Sequence, residues 1–191
     1  MIDLLQIDHA IDAATLERIR REMHAAPGDP ATVLGSKPQH TVVASVRKAT
    51  RITVSAETRA AVTQLLETHQ PGIESHYGRP LKEFEEPQFL RYGPGDYFVA
   101  HQDGNTPLIY DETRFRKVSV VIFLSEQSEH PMLEGFCGGS LVLHGRFGES
   151  EPPLTVAPAP GMLVAFPAET THEVLPITHG ERLSIVSWYC G

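Results

Sequence analysis

Residues 1–30 carry apolar side chains at the spacing of an amphipathic helix. The predicted buried stripe consists of Ile11, Leu16, Ile19 and Met23. Asp12 or Thr15 is a suitable cap for the first turn, because short polar side chains accept hydrogen bonds from the free amides there. The turn-forming sequence Pro27-Gly28-Asp29-Pro30 predicts the end of this helix.

A second helical pattern covers residues 55–77, with Ser55 as a weak cap. The residues on its apolar side are Val62, Leu65, Leu66 and Ile73. We expect Pro71-Gly72 to break or kink this helix, because proline has no amide hydrogen for the carbonyl one turn earlier. Between the two helical patterns, residues 41–54 are mixed and rich in β-branched residues, which predicts one or two short strands.

After Gly78 the pattern changes to short runs of β-branched and aromatic residues, separated by Gly and Pro turns. The runs cover residues 84–92, 96–102, 115–125, 139–144, 154–156, 162–166 and 173–189. Such a series predicts a sandwich or jelly roll. The expected fold is mainly β with flanking α-helices, in which two N-terminal helices pack on one sheet of an eight-stranded double sheet.

The size and composition fit one globular domain. The chain has 191 residues, of which 41% are hydrophobic and 21% are charged. A chain of this length can bury one well-packed core and is short for two. We therefore expect a single domain over residues 1–191, with residues 1–80 as a helical support region and residues 81–191 as the β core.

The charge and the apolar runs argue against two classes of partner. A net charge of −8 would repel a phosphate backbone, so nucleic acid is not an expected partner. The longest apolar runs, such as residues 118–124, are far too short to span a bilayer, and residues 1–10 carry acids where a signal peptide needs basic residues. We expect a cytoplasmic protein with free thiols at Cys137 and Cys190 and no membrane partner.

The candidate chemistry lies in the sequence RYGPGDYFVAHQDGN, residues 91–105. Successive strand side chains point to opposite faces, so Tyr97, Val99, His101 and Asp103 are expected on one face. An imidazole and a carboxylate would then converge, and His172 could supply a second imidazole from a later strand-like run. Two histidines and one carboxylate leave three coordination positions open, which is the arrangement that non-haem Fe(II) oxygenases use.

From residue 84 onwards, the chain resembles the 2-oxoglutarate- and Fe(II)-dependent oxygenases, in particular their prolyl 4-hydroxylase-like branch. The matching segments, in the family's order, are RYGPGDYFVAHQD, KVSVVIFLSE, GGSLVL, PGMLVAFPAETTHEVLPIT and GERLSIVSWY. The resemblance implies a double-stranded β-helix, or jelly-roll, core. It also implies a catalytic Fe(II) held by His101, Asp103 and His172, with 2-oxoglutarate and O2 at the remaining positions.

The cosubstrate needs a fixed cation for its distal carboxylate, and Arg182 fits this role because a guanidinium pairs with a carboxylate through two hydrogen bonds. Ser184 lies two residues on, on the same strand face, and could add a hydrogen bond. Tyr92 matches the tyrosine before the family's Pro-Gly turn and could donate from the opposite wall. A strand serine and a turn tyrosine are also common structural residues. Many members carry a tyrosine where this chain has Phe123, so one phenolic donor is missing.

The resemblance implies a dioxygenase that hydroxylates an unactivated C–H bond and releases succinate and CO2, with ascorbate as a candidate reductant. The expected substrate is a prolyl residue in a peptide or protein, free proline, or another small amino-acid-like molecule. Two alternatives stay open: a metal-binding jelly-roll sensor domain without turnover, and a nucleic-acid dealkylating oxygenase. The second typically carries an arginine six residues after the first one, where this chain has Trp188. The sequence does not identify the substrate or the oligomeric state, and residues 106–116 are either a substrate lid or a solvated loop.

Overall fold

The computed structural model describes residues 2–31, 46–104, 112–146 and 152–191. Helix α1 spans Ala13–Ala25. Asp12 caps this helix by accepting hydrogen bonds from the amides of Ala14 and Thr15, each at 3.0 Å. Of the two caps that the sequence suggests, Asp12 is therefore the correct one, and Thr15 is one of the residues that it caps.

Helix α2 spans Ala56–Tyr77 and continues through Pro71, so of the expected break or kink the break is wrong, and the kink stays a prediction. Ser55 caps the helix, because its hydroxyl accepts a hydrogen bond from the Thr58 amide at 3.2 Å. The apolar side remains buried on both sides of the proline, and Ile73 is 0% exposed. Burial of this side therefore holds the helix together although one backbone hydrogen bond is lost.

The described residues form fifteen strands and a short 3-10 helix at Glu112–Phe115. In chain order the strands are β1 (Leu5–Ile7), β2 (Gly28–Pro30), β3 (Arg47–Lys48), β4 (Thr50–Ile52), β5 (Gln88–Tyr92), β6 (Tyr97–His101), β7 (Arg116–Phe123), β8 (Glu126–Gln127), β9 (Gly135–Gly138), β10 (Leu141–Arg146), β11 (Leu154–Val156), β12 (Leu163–Pro167), β13 (Thr170–Val174), β14 (Ile177–Gly180) and β15 (Arg182–Cys190). The mainly β class with two helices is confirmed.

The strands form two larger sheets and one small sheet. The major sheet has the order β1-β12-β7-β15-β5-β4-β2, and the minor sheet has the order β11-β10-β13-β6-β3. A third sheet of β14, β9 and β8 accompanies them. The expected total of eight strands is therefore too low. The run at residues 173–189 is one reason, because it contains parts of three strands, and the last two are separated by a turn at Gly180, whose φ is +73°.

The apolar residues of the two helices pack against one face of the major sheet, as the sequence predicts. Ile19 and Met23 of α1 and Leu66 of α2 belong to the same buried cluster as Ile122 and Ile185 of the sheet. Burial of this cluster is the main favourable contribution to stability that joins helices to sheet.

A second apolar layer fills the space between the major and minor sheets. Phe123 and Phe166 of the major sheet belong to the same buried cluster as Leu141 and Leu143 of the minor sheet. The opposite end of the same interior contains Tyr92 and Val174, which belong to a separate cluster. The functional residues predicted from the sequence lie within this interior.

Three further predictions concern the chain as a whole. Cys137 and Cys190 are free thiols, as expected. In the part of the chain that the structure describes, neither helix is long and apolar enough to cross a membrane. Residues 106–111 of the expected substrate loop lie outside the described residues.

Candidate functional site

The pairing of β6 with β13 brings together three side chains that are far apart in the sequence. His101 and His172 are direct cross-strand partners. The Nε2 atom of His101 lies 3.5 Å from Asp103 Oδ1, and Nε2 of His172 lies 3.4 Å from Asp103 Oδ2. One potential ligand atom from each of the three residues lies within 4.8 Å of the others. The residues converge as the sequence predicts, and their role as metal ligands remains a prediction.

The expected arrangement of side chains along β6 is wrong at one point. Phe98, three residues before His101, stacks on the His101 ring with a centroid separation of 3.5 Å, while Val99 is 37% exposed. The cause is an irregularity in the ladder, because His101 and Phe98 pair with His172 and Val174, which are two residues apart. A bulge of this kind shifts the alternation by one residue.

Backbone carbonyl groups fix the orientation of both imidazoles. The Nδ1 atom of His101 lies 2.8 Å from the Val99 carbonyl oxygen, and Nδ1 of His172 lies 2.8 Å from the Thr170 carbonyl oxygen. A carbonyl oxygen can only accept, so each Nδ1 carries the hydrogen and each Nε2 has a free lone pair. This outer hydrogen bond is the usual support of a metal-bound histidine.

The electrostatics favour the protonation states that metal binding needs. Burial and the neighbouring His101 lower the pKa of His172 to about 4 against the opposing effect of Asp103, so its imidazole is neutral near pH 7. Burial by itself would raise the pKa of Asp103. The charge that His172 and His101 carry when protonated and the charge of Arg116 hold it below its ordinary value. Two imidazole nitrogens and one carboxylate are a donor set that fits Fe(II).

Arg182 lies on β15 and is buried, with 2% of its surface exposed. Its guanidinium carbon is 5.3 Å from the ring centroids of both Tyr92 and Phe123. Nη1 donates to the Ser184 hydroxyl at 3.4 Å, whereas Nε has no hydrogen-bond partner among the described residues. Burial lowers the pKa of Arg182, and the Tyr92 hydroxyl opposes this effect. A buried cation in this state is costly until an anion pairs with it.

The histidine-carboxylate cluster and the arginine line the same small cavity, of about 50 Å³. Tyr92 and Ser184 line it as well, so the structure brings together all six of the residues that the sequence predicts for the site. Phe123 contributes a ring against the guanidinium and has no hydroxyl to donate. The cavity is therefore lined by the histidine-carboxylate cluster and by a buried guanidinium, that of Arg182.

Four further residues at this site were not assigned to it from the sequence. Arg47 and Phe98 line the cavity, with the Arg47 guanidinium 4.8 Å from the Phe98 ring centroid. Trp188, expected in the core, is buried and also lines the cavity. Ser119 donates a hydrogen bond to Asp103, and a single serine within the apolar run of β7 was a visible signal.

Comparisons with known proteins agree with this arrangement. Residues 87–190 match the family model described as the 2OG-Fe(II) oxygenase superfamily. A PKHD-type hydroxylase from Shewanella oneidensis is 35% identical over 106 residues, which are 56% of this chain and 43% of that protein. Another from Klebsiella pneumoniae is 32% identical over 140 residues, or 73% of this chain and 56% of that protein. The chain thus spans about half the length of the curated relatives it matches.

Solved structures show the same fold. The crystal structure of a Pseudomonas putida prolyl-4-hydroxylase aligns with a TM-score of 0.73 and 25% identity, covering 100% of this chain and 94% of that chain. A prolyl hydroxylase from Trichoplax adhaerens, in complex with a hypoxia inducible factor peptide fragment, aligns with a TM-score of 0.72 over 100% of this chain and 84% of that chain. Its identity is 16%, so this second likeness concerns the fold alone.

Proposed function

The chain belongs to the 2OG-Fe(II) oxygenase superfamily, and from this premise we propose that it is an Fe(II)- and 2-oxoglutarate-dependent hydroxylase that releases succinate and CO2. Its substrate is a prolyl residue, free proline or another amino-acid-like molecule with an unactivated C–H bond. The observation that carries the proposal is one cavity lined both by the His101-Asp103-His172 cluster and by the buried Arg182, whose Nε has no hydrogen-bond partner among the described residues. The names of the PKHD-type hydroxylases and prolyl hydroxylases among its relatives support the substrate class.

The three converging side chains hold the metal. The Nε2 atoms of His101 and His172 and one carboxylate oxygen of Asp103 are the ligands, because each Nδ1 is already engaged with a carbonyl group. Bound Fe(II) supplies the activation of O2 that couples oxidation of 2-oxoglutarate to hydroxylation of the substrate. Three protein ligands leave three positions for this chemistry.

Arg182 binds the distal carboxylate of 2-oxoglutarate. Its Nε and Nη atoms lie in a fixed fork whose shape matches a carboxylate, and Nε is available. Tyr92 and Ser184 contribute hydroxyl groups beside it, and the rings of Tyr92 and Phe123 keep the guanidinium in a dry environment. In such surroundings the charge pair is stronger than it would be in water, which secures the orientation of the cosubstrate.

Phe98 and Trp188 form apolar walls of the cavity, and such walls exclude water from a reactive centre.

The whole chain acts as a single domain, which the buried cluster shared by both helices and the major sheet supports. Ascorbate is proposed as a reductant, and a cytoplasmic location is proposed on the strength of the free thiols Cys137 and Cys190.

Anaerobic titration tests the proposal without knowledge of the substrate. Fe(II) and then 2-oxoglutarate are added to the metal-free protein while the visible charge-transfer band of the chelate is recorded. We expect the band in the wild type, its loss in His172→Ala, and a requirement for far more 2-oxoglutarate in Arg182→Ala. Exposed residues provide matched controls, and His179→Ala and Arg51→Ala are expected to behave as the wild type does.

The opposite results lead to a different function. If the protein binds Fe(II) and no band forms at any concentration of 2-oxoglutarate, the cosubstrate assignment fails. A metal-binding domain without turnover would then be the better description.

A further inference from the structure

Ser119 is a buried serine of the major sheet whose hydroxyl contacts the histidine-carboxylate cluster. It is 1% exposed, and its Oγ donates to Asp103 Oδ2 at 2.7 Å. On β7, Val118 and Val120 belong to the helix-facing cluster, whereas Val121 belongs to the cluster between the sheets. Strand alternation therefore directs the Ser119 side chain into the interior, towards Asp103.

The backbone of Asp103 is fixed independently of this contact. Its amide donates to the Ala168 carbonyl oxygen at 3.0 Å, and its own carbonyl oxygen accepts from Arg116 Nη1 at 3.3 Å. Arg116 is itself held by two contacts to the Glu85 carboxylate, at 2.5 and 2.6 Å. The two side-chain torsions of Asp103 are not fixed by these backbone contacts, and the Ser119 hydrogen bond to Oδ2 restricts them.

We propose that Ser119 is a positioning residue that keeps Asp103 a one-oxygen ligand of the metal. The proposal rests on the proposed function. Three one-atom ligands leave room for a chelating 2-oxoglutarate, which takes two positions, and for O2, which takes the last. If Oδ2 also bound the metal, that last position would be lost. The Ser119 hydroxyl donates to Oδ2 and so favours Oδ1 as the oxygen that binds the metal.

The test compares variants that differ in one hydroxyl group. Ser119→Ala removes it, while Ser119→Thr and Ser119→Val form a pair of nearly equal shape in which threonine alone retains it. Ser187→Ala is the matched control, because Ser187 is also 1% exposed in the major sheet and donates to the backbone carbonyl of Glu85 at 2.6 Å. Thermal unfolding of the metal-free proteins shows which variants fold.

Two readouts that do not depend on turnover are used. The protein is labelled with carbon-13 aspartate, and infrared difference spectra are recorded with and without Fe(II). The separation between the two carboxylate stretching bands reports how the carboxylate binds. This separation is wide when one oxygen binds the metal and narrow when both oxygens bind it. Anaerobic titration with 2-oxoglutarate then gives the affinity for the cosubstrate through the charge-transfer band.

We expect a wide band separation in the wild type, Ser119→Thr and Ser187→Ala, and a narrow one in Ser119→Ala and Ser119→Val. The affinity for 2-oxoglutarate is expected to fall about tenfold in the Ala and Val variants, with Fe(II) affinity retained, because the second oxygen competes for a chelate position. Wild-type spectra and affinities in these two variants would overturn the proposal. Failure of the wild type to bind Fe(II) or to form the chelate would instead overturn the proposed function, and this proposal with it.

Discussion

The two faces of the major sheet carry residues with different tasks, and β15 shows the difference along a single strand. On the helix side it presents Leu183, Ile185 and Tyr189. On the cavity side it presents Arg182, Ser184, Val186 and Trp188. The polar groups of the helix side have partners within the protein, since Tyr189 donates to the Leu66 carbonyl oxygen and Ser187 to the Glu85 carbonyl oxygen, each at 2.6 Å. The cavity side leaves the Nε atom of Arg182 without a hydrogen-bond partner among the described residues.

Alternate residues of β15 therefore contribute to different properties: one set stabilises the fold, and the other set lines the cavity. The helix side gains free energy from burial as the chain folds. On the cavity side the buried Arg182 cation lowers the free energy of unfolding, and binding of an anion restores it. Substitutions at neighbouring positions of the same strand should therefore have opposite consequences.

The largest expected effect is that of Arg182→Met, which replaces the cation by an apolar side chain of similar length. The affinity of the Fe(II)-loaded protein for 2-oxoglutarate should fall about three-hundred-fold, or ~3.4 kcal/mol, because a buried charge pair is lost. The free energy of unfolding of the metal-free protein should stay the same or rise. Cosubstrate titration and urea denaturation measure the two quantities. Retained affinity together with lower stability would contradict the comparison.

Ile185→Ala tests the helix side. Ile185 is 1% exposed, and its truncation should lower the free energy of unfolding by about 3 kcal/mol through lost burial and a new cavity. The folded variant should keep its affinity for 2-oxoglutarate. Leu133→Ala serves as a control, because Leu133 is 99% exposed and its truncation should change stability by no more than about 0.5 kcal/mol. A marked loss of cosubstrate affinity in Ile185→Ala would show that the two faces are coupled.

Metal addition should stabilise the protein through the cavity between the two larger sheets and not through the helix side. At a free Fe(II) concentration of about 100 times the dissociation constant, the free energy of unfolding should rise by about 2.7 kcal/mol, because the folded state binds the metal and the unfolded state does not. Anaerobic urea denaturation with and without Fe(II) measures the rise. In His172→Ala the rise should disappear, and an equal rise in both proteins would place the metal elsewhere.

The smallest expected effects come from deleting one hydroxyl on each face. Tyr189→Phe should lower the free energy of unfolding by about 1 kcal/mol and leave cosubstrate affinity unchanged. Ser184→Ala should weaken 2-oxoglutarate binding by about fivefold, which is ~1 kcal/mol, and change stability little. The same two assays apply. If both variants change the same quantity, the division between the faces does not extend to single hydrogen bonds.

Much of the site could be predicted because its residues lie in short, regular segments. His101 and Asp103 are two residues apart, and Arg182 and Ser184 share a face of β15, so strand alternation and ligand chemistry were sufficient to group each pair. The resemblance to the family then supplied the link between the two pairs. The helix positions and the Asp12 and Ser55 caps followed from local side-chain chemistry in the same way.

Other features depend on long-range contacts that a local pattern does not contain. The bulge that turns Phe98 towards His101 exists because β6 pairs with β13, and it cannot be read from β6 alone. Helix α2 passes through Pro71 because its apolar side is buried against the sheet. The parallel pairing of β8 with β9 joins strands of two and four residues, whose periodicity is too short to detect.

The most direct test of the central claim is to follow turnover with oxygen-18 gas. The wild-type protein is supplied with Fe(II), ascorbate and 2-oxoglutarate, together with free L-proline or a proline-containing peptide, and the succinate formed is analysed by mass spectrometry. We expect succinate that carries one oxygen-18 atom, formed by the wild type and not by His172→Ala. Equal amounts of succinate from the two proteins, or succinate without oxygen-18, would contradict the assignment of an oxygenase centre to His101, Asp103 and His172.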